Sequence, residues 1–107
     1  MEMIFPPEHI EKILAGEKWQ TRRLRRGQYM RIQQYALQSG RGKSSIPGYR
    51  IIFDRIAFES GRISPEDAIA EGGYTPEEFE MVFRRIYPRW NGDGRWVFAF
   101  HLIRAMQ

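Results

Sequence analysis

Residues 16–26 read Gly-Glu-Lys-Trp-Gln-Thr-Arg-Arg-Leu-Arg-Arg, and this short stretch decides how the rest of the chain is interpreted. It follows a short helical pattern that ends at Gly16, a residue type that commonly terminates helices. From position 18 onward it places one Lys, one Thr and four Arg within nine residues. A run of charge is often no more than a solvated surface. Here Trp19 and Thr21 interrupt the charges, which favours a functional site.

The charge asymmetry extends well beyond this stretch. From position 18 to position 50 the chain carries nine Lys or Arg and no Asp or Glu. Positions 59 to 80 show the opposite bias, with seven carboxylates against the single Arg62. We therefore expect a molecule with a basic end and an acidic end. Because like charges repel one another, so dense a basic segment favours a negatively charged partner, and clustered Arg with a pI near 9.8 is typical of nucleic-acid-binding proteins.

Composition narrows the class of protein further. At 107 residues, 42% of them hydrophobic, the chain predicts one globular domain over residues 1–107. It has no Cys, which excludes disulfides and thiolate metal sites, and His9 and His101 lack metal-ligand spacing, so we expect no metal and no other cofactor. No apolar run nears the ~20 residues that cross a bilayer, and no signal-peptide pattern is present. We expect a cytoplasmic protein without a membrane partner; the oligomeric state is not indicated.

Periodicity and capping signals predict three helices and four or five strands. The helices are expected over residues 8–15, from Pro65 to near Glu71, and from the Thr75 cap as far as Pro88. The strands are expected over residues 3–5, 18–24, 28–35, 49–60 and 95–103. Because strands and helices do not alternate, we predict an α+β fold: a small, mostly antiparallel β-barrel with about three flanking helices.

The alternation over residues 28–35 predicts a strand with two different faces. Met30 and Ile32 would point one way. Tyr29, Arg31 and Tyr35 would point the other way, where aromatic and cationic groups suit stacking on bases and pairing with phosphates. An ordinary exposed strand face is an equally good interpretation of this pattern.

Several local patterns together are similar to a known family. The helix end at residues 13–16 is followed by Glu-Lys-x-x-Thr-x-Arg at 17–23. Gly27 precedes a predicted strand, Ala-Glu-Gly at 70–72 precedes the Thr-capped helix, and Trp-Val-Phe at 96–98 lies in the closing strand. This combination resembles the ASCH domain family, relatives of the PUA RNA-binding fold, over nearly the whole chain. The resemblance implies a small β-barrel with flanking helices and a cleft lined by the motif.

The resemblance also implies a function. ASCH domains are described mostly as RNA-binding, some bacterial members remove the acetyl group from acetylcytidine, and ribonuclease activity is reported as well. The amidohydrolases use a Lys and a Thr of the motif and a later Glu, which match Lys18, Thr21 and Glu71 here, the Glu after a shift of one residue. The four Arg around Thr21 make this motif more basic than that of the compact amidohydrolases, which favours a polymeric anion over a free nucleoside.

The hydrolase hypothesis makes a demand on the backbone. Thr21 would attack an amide, Lys18 would act as its base, and Glu71 would handle protons. Burial and neighbouring Arg residues would lower the pKa of Lys18 from its ordinary value of about 10.4, as a base requires. Residues three apart face opposite sides of a straight strand, so Lys18 and Thr21 converge only if the chain bends near Lys18.

Three functions therefore stay open. The first is an RNA- or modified-nucleotide-binding domain with a basic cleft. The residues expected to contact the nucleic acid are Lys18, Trp19, Arg22, Arg23, Arg25, Arg26, Arg31, Arg41 and Lys43. The second is a hydrolase acting on RNA or nucleosides, as an acetylcytidine amidohydrolase or a ribonuclease, through Lys18, Thr21 and Glu71. The third is a protein-interaction module that uses the acidic residues of 59–80.

Overall fold

Five strands in one sheet and three helices make up residues 1–104, the part of the chain that the computed structural model describes. The elements in chain order are β1 (Glu2–Ile4), α1 (Pro7–Leu14), β2 (Gln20–Arg23), β3 (Gln34–Gln38), β4 (Ser45–Glu59), α2 (Pro65–Ala70), α3 (Pro76–Ile86) and β5 (Arg95–Arg104). No helix among these is long and apolar enough to cross a membrane. The predicted α+β class is confirmed, with the three helices in the expected places.

The sheet has the order β1-β3-β4-β5-β2. β1 pairs with β3 in parallel, whereas the other three pairings are antiparallel, so the sheet is mixed and mostly antiparallel. The two longest strands, β4 and β5, form its centre, with Ile51 opposite Leu102 and Phe53 opposite Phe100. A register shift between Phe53 and Arg55 interrupts this long pairing and is typical of the bulges that bend a sheet.

The predicted barrel is not closed, and this part of the prediction is corrected. β1 and β2 are the two edges of the sheet and do not pair with each other in the described chain. The edges nevertheless approach, because the Arg23 guanidinium of β2 donates through Nη2 to the carbonyl oxygen of Ile4 in β1 at 2.7 Å. A side chain therefore occupies the gap that a backbone ladder would fill in a barrel.

Two apolar clusters form the core. The larger one lies between the sheet and α1, which contributes Ile10 and Ile13. The smaller one joins α2 and α3 through residues that include Ala68, Phe79 and Phe83. The cleft described below lies where α3 approaches the edges of the sheet.

Both helices of the C-terminal half begin at the predicted caps. The Ser64 hydroxyl accepts from the backbone N–H of Asp67 at 3.1 Å. Thr75 and Glu78 form a complete capping box, with hydrogen bonds of 2.8 and 3.1 Å. Capping satisfies N–H groups that a helix start leaves without partners. It also fixes the position of α2, and Glu71 is the residue that ends this helix.

The predicted strand over residues 28–35 is wrong in its position and in its faces. β3 begins only at Gln34, and the preceding residues form turns. Tyr35 is buried, whereas Met30 and Ile32 are exposed. The cause is a long-range aromatic cluster, in which the Tyr29 ring packs edge-on against Phe53 and Phe98 at 5.8 and 5.5 Å between ring centres. The Tyr35 ring joins this cluster through its own edge-on contact with Tyr29. The face expected to stack on bases therefore does not exist as a strand face.

Ile32 generates a stability prediction, because it combines a backbone φ of 73° with a side chain that is 78% exposed. A β-branched residue is strained in this left-handed region, and its exposure gives no compensating burial. We expect Ile32→Gly to raise the free energy of unfolding by about 1 kcal/mol, since relief of strain exceeds the added freedom of the unfolded chain. Urea unfolding measures this change.

Met30→Gly is the matched control, since Met30 lies exposed in the same loop without a positive φ. This substitution should lower the free energy of unfolding, because glycine there only adds freedom to the unfolded chain. Equal losses of stability in the two variants would contradict the strain at Ile32.

Candidate functional site

The segment that carries Lys18 lies between α1 and β2 and is anchored on both sides. The backbone N–H of Trp19 donates to the carbonyl of Ala70 at the end of α2 (2.8 Å), and the carbonyl of Trp19 accepts from the N–H of Phe100 in β5 (2.9 Å). β2 begins directly after Trp19, so Lys18 precedes the regular strand. Lys18 and Thr21 are both buried and line the same cleft. The side chains of Lys18 and Thr21 therefore reach the same cleft, although they are three residues apart.

Lys18 forms a buried ion pair with Glu71. Its Nζ donates to Oε1 of Glu71 at 2.9 Å and to the backbone carbonyl of the same residue at 2.8 Å. Both side chains are only 2% exposed. A protonated lysine has three N–H donors, and Glu71 takes two of them in the described chain. The remaining donor is available to a ligand in the cleft.

Burial changes the proton affinity of this lysine. Because the charged form loses its hydration inside the protein, burial lowers the pKa of Lys18, although the adjacent Glu71 carboxylate opposes the change. The same ammonium affects a histidine at the edge of the cleft. Burial, and then the nearby Lys18 charge, lower the pKa of His9 from 6.5 to about 4.

Arg22 lies at the centre of a network of ion pairs, and its side chain has no exposed surface. Its Nη1 donates to Glu71 at 2.8 Å, and its Nε and Nη2 form a two-point contact with Glu59 at 2.9 and 2.7 Å. Nη2 also donates to Asp67 at 3.0 Å. Burial alone would lower the pKa of Arg22, but the hydrogen bonds that it donates to Glu59 and the charge of Glu71 raise it overall. Arg22 therefore orients Glu71, and its side chain, although it borders the cleft, is bound to three carboxylates.

The network continues beyond Arg22. Glu59 also accepts from Nε of Arg95 at 3.0 Å, and the other end of the Arg95 guanidinium binds both oxygens of Glu80 at 2.6 and 2.8 Å. The Arg95 guanidinium lies 4.7 Å from the centre of the Phe83 ring. Burial opposes ionisation of Glu59, but its hydrogen bonds to Arg22 and Arg95 lower its pKa overall. A chain of ion pairs from Arg22 through Glu59 and Arg95 to Glu80 thus connects the floor of the cleft to α3.

The ion pairs of this network connect the basic and acidic segments that were expected to form two separate ends of the molecule. Carboxylates of the acidic segment bind cations inside the protein, and these are Glu59, Asp67, Glu71 and Glu80. Lys18 and Arg22, from the basic stretch, are among their partners. The two oppositely charged segments therefore meet in the interior, where four of the seven carboxylates and two of the nine cations are paired.

The cleft itself has a volume of about 140 Å³ and combines polar groups with aromatic walls. Its polar side chains include Lys18, Thr21 and Glu71. The walls come from both ends of the chain, and they include Phe5, Phe79, Phe83, Val82, Ile86 and Tyr87. Thr21 Oγ1 lies 3.4 Å from Nε of Arg23. The three residues proposed for hydrolysis thus share one cleft, although Arg22 rather than Thr21 is the second partner of Glu71.

Arg23 also lines the cleft, whereas the other basic residues of the motif lie elsewhere. Arg23 is partly buried, with its guanidinium 4.9 Å from the centre of the Phe5 ring, and burial lowers its pKa. The other side chains expected to contact nucleic acid are exposed, and they are Trp19, Arg25, Arg26, Arg31, Arg41 and Lys43. They do not line this cleft. Residues 1–104 contain no group of three or more His, Asp or Glu side chains that could hold a metal.

Sequence reasoning missed the roles of Arg95, Glu59 and His9. One signal was present: Arg95 is a cation at the start of a mostly apolar strand, and Glu59 is the last residue of the strand opposite it. These two residues are direct partners in the register of β4 and β5. No comparable signal identified His9, since its place at the cleft depends on how α1 packs.

Comparison with known proteins identifies the fold. No protein-family model and no curated protein matches the sequence. A solved structure does match: an ASCH domain from Lactobacillus crispatus JV V101, with a TM-score of 0.70 and 16% sequence identity, over 92% of this chain and 72% of that one. The chain therefore has an ASCH-like fold, as the motif predicted. At this identity the likeness establishes the fold alone.

Arg22 generates the first prediction from this site. Replacing it by an apolar residue leaves buried carboxylates without their cation, and breaking such a pair typically costs about 3–5 kcal/mol. We expect Arg22→Met to lower the free energy of unfolding by roughly that amount in urea titrations. Arg31→Met, at an exposed position, should change it by no more than about 0.5 kcal/mol. A loss for Arg22→Met as small as that of the control would show that the network does not stabilise the fold.

His9 generates a prediction about pH. Its pKa of about 4 in the folded protein lies below the ordinary 6.5, so the unfolded chain binds a proton more readily. Its contribution to stability is therefore complete above pH 6.5 and is lost as pH falls towards 4. Glu59 adds its own loss of stability only below its ordinary value of 4.5. Thermal unfolding between pH 4.5 and 6.5 should show less pH dependence in His9→Gln than in the parent protein.

His101→Gln is the control, because His101 is exposed and lies beside Asp54 at 2.9 Å, away from the cleft. This variant should keep the pH dependence of the parent protein. If the stability of His101→Gln depended less on pH than that of the parent protein while His9→Gln behaved like the parent, His9 would not be the group responsible.

Proposed function

We propose that the protein binds RNA by taking a single nucleobase, plain or modified, into the cleft, while exposed Arg and Lys side chains contact the backbone. The observation that carries this proposal is the unused N–H of the buried Lys18, held by Glu71 at the floor of a cleft with aromatic walls. A buried donor that already has its counterion is well suited to a neutral acceptor, because no further charge needs to be buried.

The polar groups of the cleft define the ligand chemistry. Lys18 offers a donor, and the Thr21 hydroxyl can donate or accept. Carbonyl oxygens on the edges of pyrimidines and guanine, or the carbonyl of an acetyl group, complement this pair. The aromatic walls, among them Phe83 and Tyr87, suit the flat face of a base. The volume of about 140 Å³ is smaller than the roughly 300–1,000 Å³ of drug-sized sites, which favours one base over a larger ligand.

Charge supports a polymer as the partner. The sequence carries a formal net charge of +4, and the exposed cations Arg25, Arg26 and Arg31 follow the cleft residues directly in the chain. Arg41 and Lys43 add charge in the turn before β4. Bases presented to a cleft must be unstacked, so a single-stranded or looped RNA is the expected form of the ligand. The similarity of the motif to RNA-binding ASCH domains agrees with this assignment.

A hydrolase is the second candidate, and the burial that lowers the pKa of Lys18 favours it. Thr21 Oγ would attack the carbonyl carbon of an amide as neutral Lys18 accepts the hydroxyl proton. Collapse of the tetrahedral intermediate would break the C–N bond, and Lys18 would return the proton to the leaving amine. Water would then hydrolyse the acyl-threonine ester. The internal pairing of Glu59, Asp67 and Glu80 leaves fewer carboxylates for a basic protein partner, so we do not favour an interaction module.

One experiment tests both candidates. Short RNAs with and without acetylcytidine, and free acetylcytidine, are incubated with the protein, and binding and products are followed by fluorescence anisotropy and mass spectrometry. We expect binding that weakens with salt, with a log–log slope of roughly −0.7 for each phosphate contacted. Thr21→Val, which keeps the shape but removes the hydroxyl, should weaken RNA binding about tenfold, as loss of a buried hydrogen bond of about 1.4 kcal/mol would.

Lys18→Met tests the donor while leaving Glu71 paired with Arg22, and Arg55→Gln at an exposed position is the matched control for lost charge. Affinity that is insensitive to salt, or equal in Lys18→Met and Arg55→Gln, would refute binding through the cleft. Loss of the acetyl group that requires both Lys18 and Thr21 would establish the amidohydrolase. Cleaved strands would establish a nuclease instead.

A further inference from the structure

A second cavity borders the cleft and shares two of its lining residues, Arg23 and Tyr87. Its volume is about 320 Å³, more than twice that of the cleft. The residues that line it are Arg23, Leu24, Arg25, Gly27, Tyr29 and Tyr87. We call this second cavity the tyrosine groove. Because only the side chains of Arg23 and Tyr87 separate the two cavities, one ligand could occupy both of them at once.

The lining of the tyrosine groove has a definite chemistry. It combines two guanidinium groups with two phenol rings, and no carboxylate lines it. Arg25 is exposed. Arg23 uses Nη2 on the carbonyl of Ile4 and places Nε near Thr21, so further donors of its guanidinium remain for an anion. Guanidinium groups bind phosphate at two points, and phenol rings stack on bases. The groove thus matches a phosphate joined to a flat ring.

Packing holds the groove in shape before any ligand arrives. The Tyr29 ring contacts Phe53 and Phe98 edge-on, at 5.8 and 5.5 Å between ring centres. The Tyr87 ring lies 4.8 Å from that of Phe83. Gly27 turns the chain at a φ of 65° directly beside the Tyr29 ring. Since the aromatic walls are fixed by the core, a ligand would not need to order them, which favours binding.

We infer that the tyrosine groove holds the nucleotide next to the one whose base occupies the cleft, with its phosphate at Arg23 and Arg25 and its base against Tyr29 or Tyr87. The ligand of the site is therefore an oligonucleotide and not a free nucleoside. This inference rests on the proposed function, because the groove is assigned relative to a base in the cleft. The inference also assigns a role to Arg25, which would contact the phosphate of an oligonucleotide but has no such group to contact in a free nucleoside.

The test compares a nucleoside with a trinucleotide that carries the same base at its centre, so that a phosphate is present on both sides. Acetylcytidine and a uridine-flanked acetylcytidine trinucleotide form one pair, and the unmodified cytidine compounds form the other. Binding is measured by titration calorimetry at one low salt concentration. We expect the trinucleotide to bind at least about tenfold more tightly, the effect of one charge-assisted hydrogen bond. Arg25→Gln should remove most of this gain and leave nucleoside affinity unchanged.

Arg55→Gln is the matched control, because Arg55 is exposed and lines neither the cleft nor the groove, yet its loss changes the net charge equally. This variant should keep the gain. Equal affinity for nucleoside and trinucleotide, or equal losses in Arg25→Gln and Arg55→Gln, would overturn the groove and leave the proposed function intact. Trinucleotide binding that depends on Arg25 but not on Lys18 would overturn both the proposed function and this inference. Failure of every ligand to bind would do the same.

Discussion

The guanidinium of Arg22, which is buried and bonded to Glu59, Asp67 and Glu71, is the contact on which the arrangement of this protein depends. It joins β2 to Glu59, the last residue of β4, and to two residues of the α2 region: Asp67 within the helix and Glu71 at its end. A buried charge is tolerated only when its partners are in place, so each ion pair constrains the elements on both sides. Because Glu71 is fixed in this way, Lys18 is fixed as well, and the floor of the cleft is set before any ligand binds.

A buried network of this size is not the simplest way to stabilise a small domain. Apolar residues of similar volume often stabilise an interior equally well, since they avoid the cost of removing charges from water. No buried side-chain nitrogen or oxygen within residues 1–104 lacks a hydrogen-bond partner, so the network is complete there. What it provides that an apolar core cannot is a lysine donor held at a known place beside a carboxylate. That property has value at a binding site and little value elsewhere.

The features that sequence predicted well are those set by neighbouring residues. Helix starts at Ser64 and Thr75 depend on contacts only three residues apart, and both caps are present. The errors arose where distant residues decide the outcome. Residues 28–35 alternate as a strand would, but Tyr29 is drawn into a cluster with Phe98 from the last strand. The ion pairs of Arg22 span 37 to 49 residues, so a count of local charge predicted two separated ends instead of one internal network.

Strand geometry explains how one basic stretch serves the interior and the surface at once. Side chains of β2 alternate between the two faces of the sheet, since the period of a strand is two. Arg22 bonds to Gln20 and Arg23 lies against Thr21, each pair being two residues apart. Arg22 therefore joins the ion-pair network while Arg23, its neighbour in sequence, lies between the cleft and the tyrosine groove. β2 ends at Arg23, so the alternation between two faces of the sheet no longer applies to Arg25, which is exposed to solvent. Adjacent arginines thus hold the floor of the cleft, border it and continue the basic stretch into solvent.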